Sequence, residues 1–172
     1  MRYSIILFFL LISQLSFSQT GNFNCKLDGT AWHGNCVGAL YSESGDYIDL
    51  NFDGPNNSGI QLNVRFIKSQ ITAHIPYIDF YEYDYKNFHQ QDVYLYVIYY
   101  PDKRHPDMKS YKMLSGQMRV DKCDFTTNKF SMLVEAECGL ASVSGTNYIV
   151  DPNQKISIKE GATDEIVFTI IH

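Results

Sequence analysis

Tyr47 to Phe66 reads YIDLNFDGPNNSGIQLNVRF. Ile48, Leu50 and Phe52 alternate with Tyr47, Asp49 and Asn51. After a loop at Gly54-Pro55-Asn56-Asn57-Ser58-Gly59, Ile60, Leu62, Val64 and Phe66 alternate with Gln61, Asn63 and Arg65. A period of two puts every apolar side chain of a run on one face. The Gly, Pro and Asn between the runs are turn chemistry. This stretch is a β-hairpin with one buried face, and it sets the reading of the rest.

Upstream, Asp28-Gly29 is the residue pair favoured by a type I′ turn, between Phe23–Leu27 and Thr30–Cys36. Downstream, Tyr77 to Tyr85 and Val93 to Tyr100 are strand-like and rich in tyrosine, and Pro101 to Lys109 is a polar loop. Gly116–Phe125 and Lys129–Ala136 flank a turn at Thr126-Thr127-Asn128, and Lys155–Lys159 and Glu165–Ile171 supply the last strands. No segment carries a sustained helical stripe with caps. About nine or ten short strands with closely spaced turns specify an all-β, antiparallel sandwich or barrel-like fold.

The first nineteen residues, MRYSIILFFLLISQLSFSQ, carry one charge, Arg2, then an apolar run and the small residues of Ser16-Phe17-Ser18. That is the pattern of a secretory signal peptide cut after Ser18 or Gln19, leaving 20–172 as one all-β domain. The apolar run is shorter than the roughly 20 residues of a membrane span. The first cysteine, Cys25, follows Asn22-Phe23-Asn24 rather than a lipobox, so a lipid anchor is not expected. The expected location is periplasmic or extracellular. Without Arg2 the mature chain is one unit more negative than the −5 of the whole sequence. Such an acidic chain has no electrostatic footprint for nucleic acid.

The four cysteines, Cys25, Cys36, Cys123 and Cys138, are candidates for disulfides, because export favours oxidised pairs. The I′ register makes Cys25 face Trp32, and a turn at Thr127-Asn128 makes Cys123 face Ser131 or Met132. Neither local bond brings its Cα atoms within the roughly 7 Å that a disulfide needs. At least one long-range bond between the two hairpins is therefore expected, among the three connectivities that four cysteines allow. A zinc site is disfavoured: the spacings lack a C-x₂-C pair, and His33 lies on the opposite strand face from its neighbour Trp32.

FNCKLDGTAW (23–32), the Gly-led strand GQMRV (116–120) running on to Phe130, and KISIKEG (155–161) followed by Ile166-Val167-Phe168 resemble a family of small exported β-proteins and lipoproteins of Bacteroidota. A signal segment ending in Phe-Ser-Gln is also typical of such bacteria. The matches cover both ends of the mature chain. The tyrosine-rich middle departs from the pattern, and Phe130-Ser131-Met132-Leu133 stands where the family opens a strand with Ser-Gly-Thr-Phe. The resemblance implies a sandwich-like exported domain with no assigned activity and no catalytic residues to carry over.

Other constellations bear on function. Asp49-Leu50-Asn51-Phe52-Asp53-Gly54 matches the first half of an EF-hand loop. However, Pro55 and Ile60 stand at the seventh and twelfth positions, where a backbone ligand and a bidentate Glu belong. Asp53, Asn56 and Asn57 remain weak candidates for a calcium site of another kind. Tyr81, Tyr83 and Tyr85, with Tyr94 and Tyr96, would form a tyrosine face if their strands are neighbours. Such a face suits sugar stacking or a protein interface, and the alternative is half-buried core packing. Lys103, Arg104, His105, Lys109 and Lys112 form a basic cluster, either a solvated loop or a dock for an acidic partner. No nucleophile-elbow, zinc-protease or P-loop motif is present. The expectation is an exported, non-enzymatic binding protein without cofactor, acting on a protein or a glycan. An inhibitor or immunity-type protein is one form, a carbohydrate-binding module the alternative, and a small secreted hydrolase the third.

Overall fold

A computed structural model describes residues 21–65, 78–81, 94–104, 109–144 and 147–172. The strands are β1 (Asn22–Leu27), β2 (Thr30–Ser42), β3 (Tyr47–Asp53), β4 (Gly59–Arg65), β5 (Ile78–Tyr81), β6 (Tyr94–Tyr100), β7 (Ser110–Asp124), β8 (Lys129–Ser144), β9 (Asn147–Thr163), β10 (Ile166–Val167) and β11 (Thr169–Ile171). One 3-10 turn, Pro55–Asn57, lies between β3 and β4. The all-β reading holds, with eleven strands among the described residues. The signal segment falls outside the described residues.

Eight strands close into a ring. β1 pairs with β2, β2 with β3, β3 with β4, β4 with β6, β6 with β7, β7 with β8, β8 with β9, and β9 returns to β1, every pair antiparallel. The architecture is thus an up-and-down barrel, one of the two forms that the alternation allowed, and closure removes most open edges. The β6–β7 seam is short: only Ile98↔Lys112 and Tyr99↔Tyr111 face each other. Beyond it β7 pairs with β5 instead, from Ser115↔Tyr81 to Met118↔Ile78.

Local chemistry sets the registers. Asp28 (φ 47) and Gly29 (φ 82) both take the left-handed conformation that a I′ turn demands. Cys25 accordingly faces Trp32. In the β7–β8 hairpin Cys123 faces Phe130, not Ser131 or Met132, because the turn is centred on Thr126-Thr127 and closes at Asp124↔Lys129; β7 slips register further along, between Val120 and Lys122. β2 also slips, between Cys36 and Gly38. It pairs with β1 before that bulge, and beyond it Leu40–Ser42 pair with β11 in parallel.

The inward faces fill the ring. Phe23, Trp32, Ile48, Leu50, Phe52, Ile60, Leu62, Val64, Leu95, Val97, Met118, Met132 and Ile158 are all buried in one cluster. Eight strands enclose just enough room for side chains to meet across the axis. The outward faces carry ion pairs, such as Lys26–Glu160 (2.6 Å), Lys155–Glu137 (3.2 Å) and Glu165 with both Lys122 and Lys129. Apolar inside and charged outside is the inverse of a membrane-spanning barrel. Among the described residues no helix is long and apolar enough to cross a membrane.

The cysteine expectation needs correcting. No disulfide joins the four; Cys25, Cys36 and Cys138 are buried and Cys123 is half-buried. The three buried ones belong to the apolar interior, where cysteine packs as a small hydrophobe. Cys36 donates a weak bond to the Gly38 carbonyl (3.6 Å). Neither hairpin register sets one cysteine opposite another.

The two ends of the barrel differ. At one end the chain after β9 folds back across the opening. β10 pairs with the start of β8 and β11 with the end of β2. Between them Phe168 is buried, its backbone N–H donating to the Asn128 carbonyl (2.9 Å). Its ring meets Tyr41 (6.1 Å) and Phe125 (5.7 Å), and those two rings lie 4.8 Å apart. The other end, the mouth, is rimmed by the Asp28-Gly29 turn, the Pro55–Asn57 turn and the chain after β6.

Candidate functional site

Trp32 fixes the geometry of the mouth. It is buried near the start of β2, its ring edge-on to Phe23 at 6.1 Å. Its indole lies across Gly34 and Gly54, and a Cβ at either position would overlap the ring. The indole N–H donates to Ser58 Oγ (2.9 Å), and that hydroxyl donates to the Pro55 carbonyl (2.7 Å). Two hairpins are thereby tied through one aromatic side chain. The DGTAW segment and the GPNNSG loop, read separately in the sequence, meet here.

Above the indole is an open cleft of about 290 Å³. Its nine lining residues are Leu27, Thr30, Ala31, Trp32, Pro55, Asn56, Ser58, Tyr99 and Pro101. None carries a formal charge at neutral pH. Tyr99 packs against the core and lies 6.2 Å from the Tyr111 ring. Burial, then Tyr111, Cys25 and Asp28, push its hydroxyl above the usual tyrosine range, so it stays protonated. Asn56 (φ 55) and Asn57 (φ 59) take the left-handed conformation that asparagine tolerates. The rim charges are paired. Asp53 bonds Lys103, and Arg104 reaches Asp102 (3.3 Å). Asp28 accepts from the Ser157 N–H (2.7 Å) and hydroxyl (3.2 Å). The Lys103 N–H donates to the Asn57 carbonyl (2.9 Å), which ties the chain after β6 to the 3-10 turn.

The tyrosine face is not assembled as the sequence suggested. β5 and β6 are not paired with each other but border β7 at different positions. Tyr81 stands opposite Ser115, Tyr94 opposite Arg65, and Tyr96 opposite Asn63. Tyr96 is half-buried and alternates with the inward-facing Leu95 and Val97, so it looks outward. Tyr83, Tyr85 and His105 lie outside the described residues. The one tyrosine of β6 that reaches the cleft, Tyr99, was read as part of a strand and not as a site residue. Its signal was parity: it shares the inward face with Leu95 and Val97.

The basic cluster is also dispersed. Lys103 and Arg104 are neutralised by neighbouring aspartates. Lys112 is buried, its ammonium 6.0 Å from the Tyr96 ring centre, and burial pulls its pKa down to about 8. Of the calcium candidates, Asn56 and Asn57 lie in the 3-10 turn and Asp53 ends β3. Lys103 occupies the Asp53 carboxylate, and among the described residues no cluster of three His, Cys, Asp or Glu groups is placed to hold a metal. His33 bonds Asn24 Oδ1 (2.6 Å) on the outer face, away from the cysteines.

No family model, curated protein or solved structure matches the chain.

Proposed function

We propose that this chain is an exported protein that works by binding rather than catalysis, and that the mouth cleft is its seat. The cleft carries this reading. Ligand sites are concave and mostly apolar with a few placed polar groups, and the mouth of a β-barrel is one of their usual locations. Here Leu27, Trp32, Tyr99 and the two prolines supply the apolar walls, and Thr30 and Asn56 the polar ones. The signal-like first nineteen residues support export.

A protein partner, of the inhibitor or immunity type, is favoured by a different observation. Val37 (53%), Leu40 (39%) and Ile171 (44%) are large apolar side chains exposed along β2 and β11. Exposed apolar side chains grouped on one surface are a common mark of protein contact.

One capture experiment separates the two. The wild-type chain, Ala31→Arg and Leu40→Asp are immobilised and exposed to envelope extract and polysaccharides. Ala31 is exposed and lines the cleft, so an arginine there fills it without disturbing the core. The mouth reading expects capture to fall at least tenfold in Ala31→Arg and to persist in Leu40→Asp. The reverse pattern moves the seat to the β2–β11 surface.

A further inference from the structure

We infer that the mouth cleft holds a single neutral, hydroxyl-rich ring, an uncharged pyranose at the end of a glycan. This deepens the binding reading above and rests on it. Three features of the cleft converge on that chemistry.

The first is size. A volume of about 290 Å³ stands at the lower limit of the roughly 300–1,000 Å³ common for ligand pockets. It suits one sugar ring with part of a second, and not a lipid chain or a large cofactor. The second is charge. The lining is uncharged, and each nearby aspartate is already engaged, by Lys103, Arg104 or Ser157. A phosphate or carboxylate ligand would enter without a partner, at the cost that any desolvated ion bears.

The third is the placement of polar groups. The Thr30 hydroxyl, the Asn56 carboxamide and the Tyr99 phenol come from three separate elements: β2, the 3-10 turn and β6. Among the described residues no side-chain hydrogen bond engages any of them. A hydroxyl donates and accepts, and a carboxamide does both through different atoms. Together they match the hydroxyls around a pyranose, which also donate and accept. Tyr99, half-buried at the cleft, offers flat apolar area on which the C–H face of such a ring stacks, while the buried Trp32 forms part of the wall. The indole N–H is bound to Ser58, so it is not available to a peptide carbonyl as it would be in a proline-recognition groove.

Trp32 is the sole tryptophan of the chain and lines the cleft, so its fluorescence reports occupancy directly. The full mature chain is titrated with methyl glycosides of glucose, galactose, mannose and N-acetylglucosamine and with their β-linked disaccharides. Glucuronate, glucose 6-phosphate and a proline-rich peptide serve as competitors in class. The expected result is a saturable change in Trp32 emission with at least one neutral sugar. Asn56→Gly and Tyr99→Phe should each weaken it about two- to tenfold, the effect of losing one uncharged hydrogen bond. Asn56 is exposed and outside the core, and glycine accepts its left-handed backbone (φ 55), so this variant keeps the wild-type melting temperature and guards against a folding artefact. If the charged sugars or the peptide bind at Trp32 and the neutral sugars do not, the ligand class is wrong while the seat stands. If no neutral sugar changes the emission, the inference falls. If capture also survives Ala31→Arg, the mouth reading falls with it.

Discussion

Above pH 9 the protein should lose stability, at up to about 2.7 kcal/mol per further pH unit from Cys25 and Cys138 alone, since each proton released on unfolding contributes roughly 1.4 kcal/mol per unit. Burial pushes the Cys25 thiol up to about 12 and raises Cys36 and Cys138 as well. An unfolded thiol ionises near its ordinary value, about 8.5. Between the two limits the unfolded chain has released the Cys25 and Cys138 protons that the folded chain keeps, so rising pH favours unfolding, and Cys36 acts in the same sense. Lys112 acts in the opposite sense. Its folded pKa is lowered to about 8 from 10.5, so between those values the unfolded chain holds a proton the folded chain has lost. That offsets one thiol, which leaves a net slope of about 1.4 kcal/mol per unit up to about pH 10.5. Tyr41, pushed up to about 12 by burial and then by Asp46, adds a loss of the same sign above pH 10.

Urea midpoints at half-unit intervals from pH 8 to 11 measure the slope. Cys25→Ala should remove about 1.4 kcal/mol per unit from it. A disulfide-bonded protein has no thiols to titrate and keeps the Lys112 contribution, so a flat or rising profile between about pH 9 and 10.5 would contradict the free-thiol interior. Three of the four thiols are buried in the apolar interior, which keeps them from oxidants without requiring a bond.

Phe168→Ala should destabilise the protein by about 3–5 kcal/mol, the usual cost of deleting a buried phenylalanine. The ring fills the end of the barrel opposite the mouth and makes edge contacts with Tyr41 and Phe125. Its removal opens a cavity among side chains that the surrounding strands hold in place. The neighbouring Val167 is exposed and serves as the control, with an expected change of less than about 0.5 kcal/mol for Val167→Ala. A loss below 1 kcal/mol in Phe168→Ala at unchanged denaturant slope would show that the strap after β9 does not plug the barrel.

The parts of this structure legible in the sequence are the local ones. The β3–β4 hairpin was plain because both strands alternate strictly and pair residue for residue from Tyr47↔Arg65 to Asp53↔Gly59. The β1–β2 register followed from Asp28-Gly29 alone. Ring closure was not legible, because it depends on β9 meeting β1 and β4 meeting β6, pairings that no turn residue encodes. The first part of β7 was hidden for another reason. Lys112 and Met113 are both buried, so the alternation breaks, and the register slips just beyond, between Met113 and Ser115. The cleft fell between these cases. Trp32 and the GPNNSG loop stood out in the sequence, but Tyr99 could not be told from Tyr96 until the barrel gave β6 an inside and an outside. The long-range disulfide expectation failed because compartment chemistry was weighed and the apolar interior, where cysteine fits unpaired, was not.

The most direct test of binding at the mouth is an amide chemical-shift map of the isotopically labelled chain with its captured ligand. A mouth seat predicts shifts centred on Thr30, Ala31, Asn56, Ser58 and Tyr99, with Val37, Leu40 and Ile171 unmoved. Shifts confined to β2 beyond its bulge and to β11, with the mouth silent, would contradict it.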